Sequence, residues 1–226
     1  MHEFWKQVYD IATLPLCVLL LSCSLGLRYW RRLPPPFRIL VAYAIFNVCI
    51  EIAARLCGYF YKQNLPLLHL YTLGEFVLFS FFYRMILSKR SLFSRHFLLF
   101  LTSGIILIIL NTTFLQGIFE FNSYSKTLVN IVVILFALDY AFAFNDLDEP
   151  EPFYGKALRL FNAGVLIYYS GSIFIFMSSQ FELETGGALL VLWQVNVVLN
   201  LIFQIILLIS LWKVIYRPRK LSSLQL

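Results

Sequence analysis

Seven apolar runs alternate with polar clusters along the chain: Ile11 to Leu27, Ile39 to Tyr59, Leu67 to Leu87, Phe97 to Phe119, Thr127 to Phe144, Ala157 to Met177 and Ala188 to Trp212. Each is close to the roughly 20 residues a helix needs to cross the hydrocarbon core of a bilayer. Backbone polar groups in lipid must be satisfied within the spanning segment, so runs of this length predict helices. The pattern therefore predicts an all-α, polytopic membrane protein, a bundle of seven transmembrane helices forming one domain over residues 1–226 with no separate soluble domain. The first ten residues carry no basic cluster and no small-residue cleavage pattern, so the first run reads as a retained span rather than a signal peptide. The run LPPPF, Leu33 to Phe37, reads as a stiff turn that is not helical.

Composition agrees with the pattern: 60% of the residues are hydrophobic and 13% charged, and the mean hydropathy is +0.78. Ordinary soluble domains are about half apolar and a quarter charged, so a soluble fold is excluded. Charge adds direction. Of the 18 basic residues, fourteen fall on one side of the runs: Arg28, Arg31, Arg32, Arg38, Arg84, Lys89, Arg90, Arg95, Lys156, Arg159 and, in the tail, Lys213, Arg217, Arg219 and Lys220. Lys6, Lys62 and Lys126 fall on the other side and Arg55 inside a run. The positive-inside bias then puts the N-terminus outside and the C-terminus in the cytoplasm, in the plasma (inner) membrane. Trp5 and Tyr9 at one face, with Tyr29, Trp30, Trp212 and Tyr216 at the other, suit headgroup-level aromatic belts. The acidic connection Asp146 to Glu151 is a solvated turn or, like the basic tail, a docking point for a cytoplasmic protein partner.

The informative residues are the polar ones inside the runs, because a charge near the bilayer centre costs about 2.5–3.5 kcal/mol on insertion scales and usually faces a partner in the bundle interior. Glu51 and Arg55 are spaced to pair on one helix face, as are Tyr71 and Glu75. His69 and Thr72 lie on the same helix, and Trp193, Asn196, Asn200 and Gln204 form one stripe on the last. All but Gln204 fall in the outer half or the middle of their runs. They form either closed interhelical glue or the lining of an outward-facing pocket made by Glu51, Arg55, His69, Tyr71, Glu75, Trp193, Asn196 and Asn200. In the second reading Arg55 clamps an anion, Glu51 and Glu75 serve cations or protons, His69 is a pH-sensitive hydrogen bonder and Trp193 is a wall. Asp139 and Asn162 stand nearer the cytoplasmic side as an anchor or a gate, Asp139 within reach of Arg38, Arg84 or Arg159. Ser22 with Gly26 and Ala137 with Ala141 mark helix or subunit association, and Gly164 with Gly171 close helix approach or a hinge at Gly171.

Absent motifs narrow the function. The only lysine of the last run, Lys213, sits at its end, where it cannot serve a buried retinal Schiff base. Only His69 of the three histidines falls inside a run, which leaves too few ligands for a zinc site. Cys17, Cys23, Cys49 and Cys57 read as small packing residues. No G-x-S-x-G, P-loop or H-E-x-x-H occurs. The expectation is a sensor-like or auxiliary signalling module without cofactor, metal or nucleic-acid partner, in contact with the lipid bilayer and possible as an oligomer. The alternatives are a transporter of small solutes, ions or protons, and a cofactor-free lipid-modifying enzyme using His69 and Glu75 with Ser103 or Thr72 as nucleophile.

Overall fold

The fold was read from a computed structural model, which describes residues 2–88, 91–144, 152–178 and 187–216, with side chains for 13–88, 91–142, 152–177 and 191–216. The described residues are helical and contain no strand: α1 (His2–Arg28), α2 (Pro35–Tyr61), α3 (Leu65–Ile86), the single turn α4 (Leu92–Arg95), α5 (Phe97–Leu110), α6 (Ser123–Phe144), α7 (Gly155–Ser178) and α8 (Gly187–Ile215). Six of these segments are long and apolar enough to cross a membrane: Pro35–Tyr61, Leu65–Ile86, Phe97–Leu115, Ser123–Phe142, Gly155–Met177 and Val191–Ile215. The protein is thus a multi-pass membrane protein. Thr13–Arg28 of α1 is a shorter apolar helix.

Local sequence explains most boundaries. Proline lacks an N–H, but the first helical turn has no intrahelical use for one. Pro34 accordingly takes extended dihedrals as the N-cap, while Pro35 and Pro36 open α2 and Arg38 Nε donates to Leu33 O at 2.9 Å. The expectation that the whole LPPPF run is non-helical is corrected on this ground. Lys62, in the left-handed region at φ 54°, ends α2. The fourth run also stops earlier than its hydropathy suggests. After α5 the chain makes a π-turn over Asn111–Leu115 and leaves the helix, with Gln116 N donating to Asn111 O at 2.8 Å.

Helices α1, α2, α3, α6, α7 and α8 form a ring in which each packs on the next, and α5 lies outside against α3. Close approaches hold the ring. A Cβ built on Gly26 of α1 would lie 2.4 Å from Val41 of α2, and one on Gly164 of α7 would lie 2.7 Å from Ile206 of α8. The centre of the ring is aromatic. Phe79 packs against Tyr43, Phe161 and Tyr169, and Phe203 stacks on Tyr168 with ring centroids 5.1 Å apart. These rings are buried.

Candidate functional site

Directly against this aromatic layer sits Glu75, fully buried about 15 Å along α3 from its start at 1.5 Å rise per residue. Its carboxylate is completely engaged. Oε1 accepts hydrogen bonds from the hydroxyls of Tyr71 at 2.7 Å and Tyr169 at 2.8 Å, and Oε2 accepts from Nζ of Lys126, which is itself buried. The lysine ammonium also faces three aromatic rings, Tyr71 at 4.8 Å, Tyr169 at 5.5 Å and Phe176 at 5.8 Å from their centroids. Three helices, α3, α6 and α7, are tied together at this point.

A cavity of about 250 Å³ lies beside the cluster, lined by α2, α3, α6, α7 and α8 and by the connections at the end of the bundle where α3 and α6 begin. Lys126 and Tyr71 belong both to the cluster and to the cavity wall. Amides contribute much of the polar lining: Asn47 from α2, Asn64 from the N-cap of α3, Asn122 from the connection into α6, and Asn196 and Asn200 from α8. An aromatic wall faces them. Phe121 stacks on Phe176, centroids 5.6 Å apart and 4° between planes, and Trp193 meets both rings edge-on.

The connection that supplies Phe121 and Asn122 is held by side chains. Gln116 donates to Ser123 Oγ at 2.8 Å and accepts from Tyr124 N at 3.0 Å, while Asn111 donates to Ser125 Oγ at 2.8 Å. Asn122 Nδ2 donates to Leu68 O at 2.9 Å and Thr72 Oγ1 at 2.7 Å, docking the connection on α3.

The outer residues singled out from the sequence fall in four places. Glu51, Tyr71, Trp193, Asn196 and Asn200 line the cavity. Glu75 lies behind the wall, reached through Tyr71 and Lys126. Arg55 sits beside the cavity, its guanidinium held by Glu51 at 2.9 Å. His69 does not face the cavity. Its ring turns to the 111–122 segment, with Nδ1 at 3.0 Å from Thr112 Oγ1 and Nε2 at 3.1 Å from Glu120 O. Because a carbonyl only accepts, Nε2 donates to Glu120 O, while the Thr112 hydroxyl beside Nδ1 gives its own proton to Ile108 O at 3.0 Å.

Asp139 and Asn162 lie towards the other end. Asp139 accepts a hydrogen bond from Ser91 Oγ, which ties α6 to the turn before α4. Asn162 is buried, accepting from Tyr83 OH at 2.8 Å and donating to Ala137 O at 3.0 Å. All four cysteines are free. The connection Asp146 to Glu151, the basic tail after Tyr216, Lys89 and Arg90 lie outside the described residues, as do the side chains of Trp5 and Tyr9.

Lys126, Tyr169, Tyr168, Asn47 and Asn122 were missed by the sequence reading. Lys126 looked like a loop charge because the fifth apolar run begins at Thr127, whereas the helix begins at Ser123 and turns the lysine inward. The signal available was an unpaired intramembrane carboxylate, Glu75, which required a cation from another helix. No protein-family model, no curated protein and no solved structure matches the chain.

Proposed function

We propose that this protein is a sensor-like or auxiliary signalling module of the plasma membrane that binds a small, neutral, hydrogen-bonding molecule in the amide-rich cavity. The observation carrying this reading is that a polar cavity at one end of the bundle stops at a closed aromatic and ion-paired floor. Both charges in its wall are already neutralised, Glu51 by Arg55 and Lys126 by Glu75. An ion would find no uncompensated partner there. The amides and the Phe121, Phe176 and Trp193 rings suit a compact ligand with several hydroxyl or amide groups and one apolar face.

In this reading α1 is the seventh span, the N-terminus and the cavity mouth are outside, and the C-terminus is cytoplasmic. Arg28, Arg31, Arg32, Arg38, Arg84, Arg95, Lys156, Arg159 and Lys213 all belong to the opposite end of the bundle. The burial of Lys126 strengthens the bias, since it removes one of the few basic residues from the outer loops. Signal output passes through a cytoplasmic partner at that basic end. The transporter reading loses ground to the same floor: below the cavity Phe79, Phe161, Tyr168, Tyr169 and Phe203 close the bundle centre, and Asn162 is fully bonded within it.

The test is a thermal-shift screen of the purified protein with neutral sugars, polyols and amides, followed by flux assays on any hit. A hit whose stabilisation is lost in Asn196→Leu and in Trp193→Ala, and which is not carried into proteoliposomes, supports the reading. Uptake of the same compound would replace it with a transporter.

A further inference from the structure

At the other end of the bundle a second cleft, of about 420 Å³, opens between the start of α7 and the end of α8. Its polar groups are cationic. Lys156, from the first turn of α7, and Lys213, from the last turn of α8, are both exposed, and neither has an ion-pair partner among the described residues. Aromatic rings share the cleft with them, Trp212 and Tyr216 with centroids 4.2 Å apart. Tyr216 OH in turn meets Tyr29 OH at 3.4 Å, and the Arg28 and Arg32 guanidinium groups lie over the Tyr29 ring at 5.9 and 5.5 Å. The cleft is therefore continuous with a second cationic group beyond Tyr29.

What covers this surface is indicated by the helix that leads to it. Ile202, Ile205, Ile209, Trp212 and Tyr216 succeed one another at alternating steps of three and four along α8, and all are 39–54% exposed. An exposed stripe with that spacing is one helix face. It runs from apolar mid-helix to the lysines, with tryptophan and tyrosine where the two meet, the sequence of environments that a phospholipid presents from acyl chain to headgroup. An acidic protein would match the lysines but not the isoleucines above them.

We propose that this cleft is a binding site for an anionic phospholipid, its phosphate held between Lys156 and Lys213 and one acyl chain lying along Ile202, Ile205 and Ile209. The site is separate from the polar cavity and does not depend on what that cavity binds. It gives the protein a means of responding to lipid composition through α7 and α8, the two helices that also carry Tyr169 and Asn196.

Native mass spectrometry of the full chain in neutral detergent, titrated with phosphatidylglycerol or phosphatidylcholine, tests the assignment. Phosphatidylglycerol is expected to bind more tightly than phosphatidylcholine. A basic residue near an anionic surface is worth a factor of about five, so Lys156→Gln and Lys213→Gln should each weaken phosphatidylglycerol binding about fivefold and the double variant about 25-fold. Lys62→Gln, which removes a charge from the other end, should leave it unchanged. Equal affinity of the wild type and the double variant, or equal binding of the two lipids, overturns the proposal. So does displacement of the lipid by soluble glycerophosphate or by a polyglutamate peptide at equal concentration, since either would show a site that reads charge without the chain. If the double variant fails to fold, the single variants and retention of affinity by Lys156→Arg with Lys213→Arg decide.

Discussion

Lys126 on α6 donates to Glu75 on α3 across 51 residues of sequence, and neither side chain reaches solvent. Removing one partner of a buried pair leaves an uncompensated charge and costs about 3–5 kcal/mol. Lys126→Met and Glu75→Gln should therefore each destabilise the purified protein by about that amount. The double variant should lose less than the sum, because it retains no orphan charge. Denaturation of the four proteins in one detergent gives the coupling directly. Additive losses would mean the two groups do not depend on each other.

The tyrosines that complete the site are testable separately. Tyr71 and Tyr169 each give Glu75 Oε1 a hydrogen bond, and a bond to a charged group is worth about 1.5–3 kcal/mol. Tyr169→Phe and Tyr71→Phe should each lower stability within that range in the same denaturation assay. The Glu75→Gln background should shrink both effects, since the acceptor is then neutral. An undiminished effect in that background would assign the tyrosines to packing alone.

How far the site could be read from the sequence depended on whether its partners were near in the chain. Glu51 with Arg55 and Tyr71 with Glu75 follow from helical periodicity, because four residues bring side chains onto one face. The stripe on α8 follows for the same reason, and three of its members, Trp193, Asn196 and Asn200, line the cavity. Periodicity says which residues share a face but not what that face meets. His69 shares its helix with Tyr71 and yet turns to Thr112 and Glu120, and the partner of Glu75 came from a helix start that hydropathy placed four residues late. The six long apolar helices were plain from run lengths, while the π-turn at Asn111–Leu115 was not, since its residues are compatible with an ordinary helix end.

His69 acts as a strap for the connection between α5 and α6. With its two side-chain hydrogen bonds at about 0.5–1.5 kcal/mol each, His69→Ala should cost about 1–3 kcal/mol. The loss should be local. Amide hydrogen exchange over 116–122 is expected to rise, and with it the mobility of Phe121 and Asn122 in the cavity wall. Glu51→Gln, on α2, should leave exchange in that segment unchanged. Faster exchange in α3 instead would place His69 in the helix packing rather than in the strap.

Glycines on α1 and α2 make opposite predictions. A methyl on Gly26 would lie 2.4 Å from a γ-carbon of Val41, a buried β-branched side chain with little rotamer freedom. Gly26→Ala should therefore push α1 from α2 and cost about 1–3 kcal/mol as overpacking does. A methyl on Gly58 meets nothing within 4 Å. Gly58→Ala should stabilise α2 by up to about 1 kcal/mol through helix propensity alone. Melting temperatures of the two variants, moving in opposite directions, check both. A shared direction would place the Gly26–Val41 contact in doubt.

One turn beyond Lys126 on α6, Asn130 is fully buried, and neither its amide nitrogen nor its carbonyl oxygen has a hydrogen-bond partner among the described residues. A buried polar group without a partner costs about 1–3 kcal/mol, whereas an apolar side chain of similar volume carries no such penalty. Asn130→Leu is accordingly expected to raise stability by about that amount, and Asn130→Ala to gain less because it opens a void. Denaturation midpoints rank the three proteins. A loss of stability in Asn130→Leu would show that the amide is satisfied in the membrane by a group it recruits, and would make α6 a polar line from Lys126 inward.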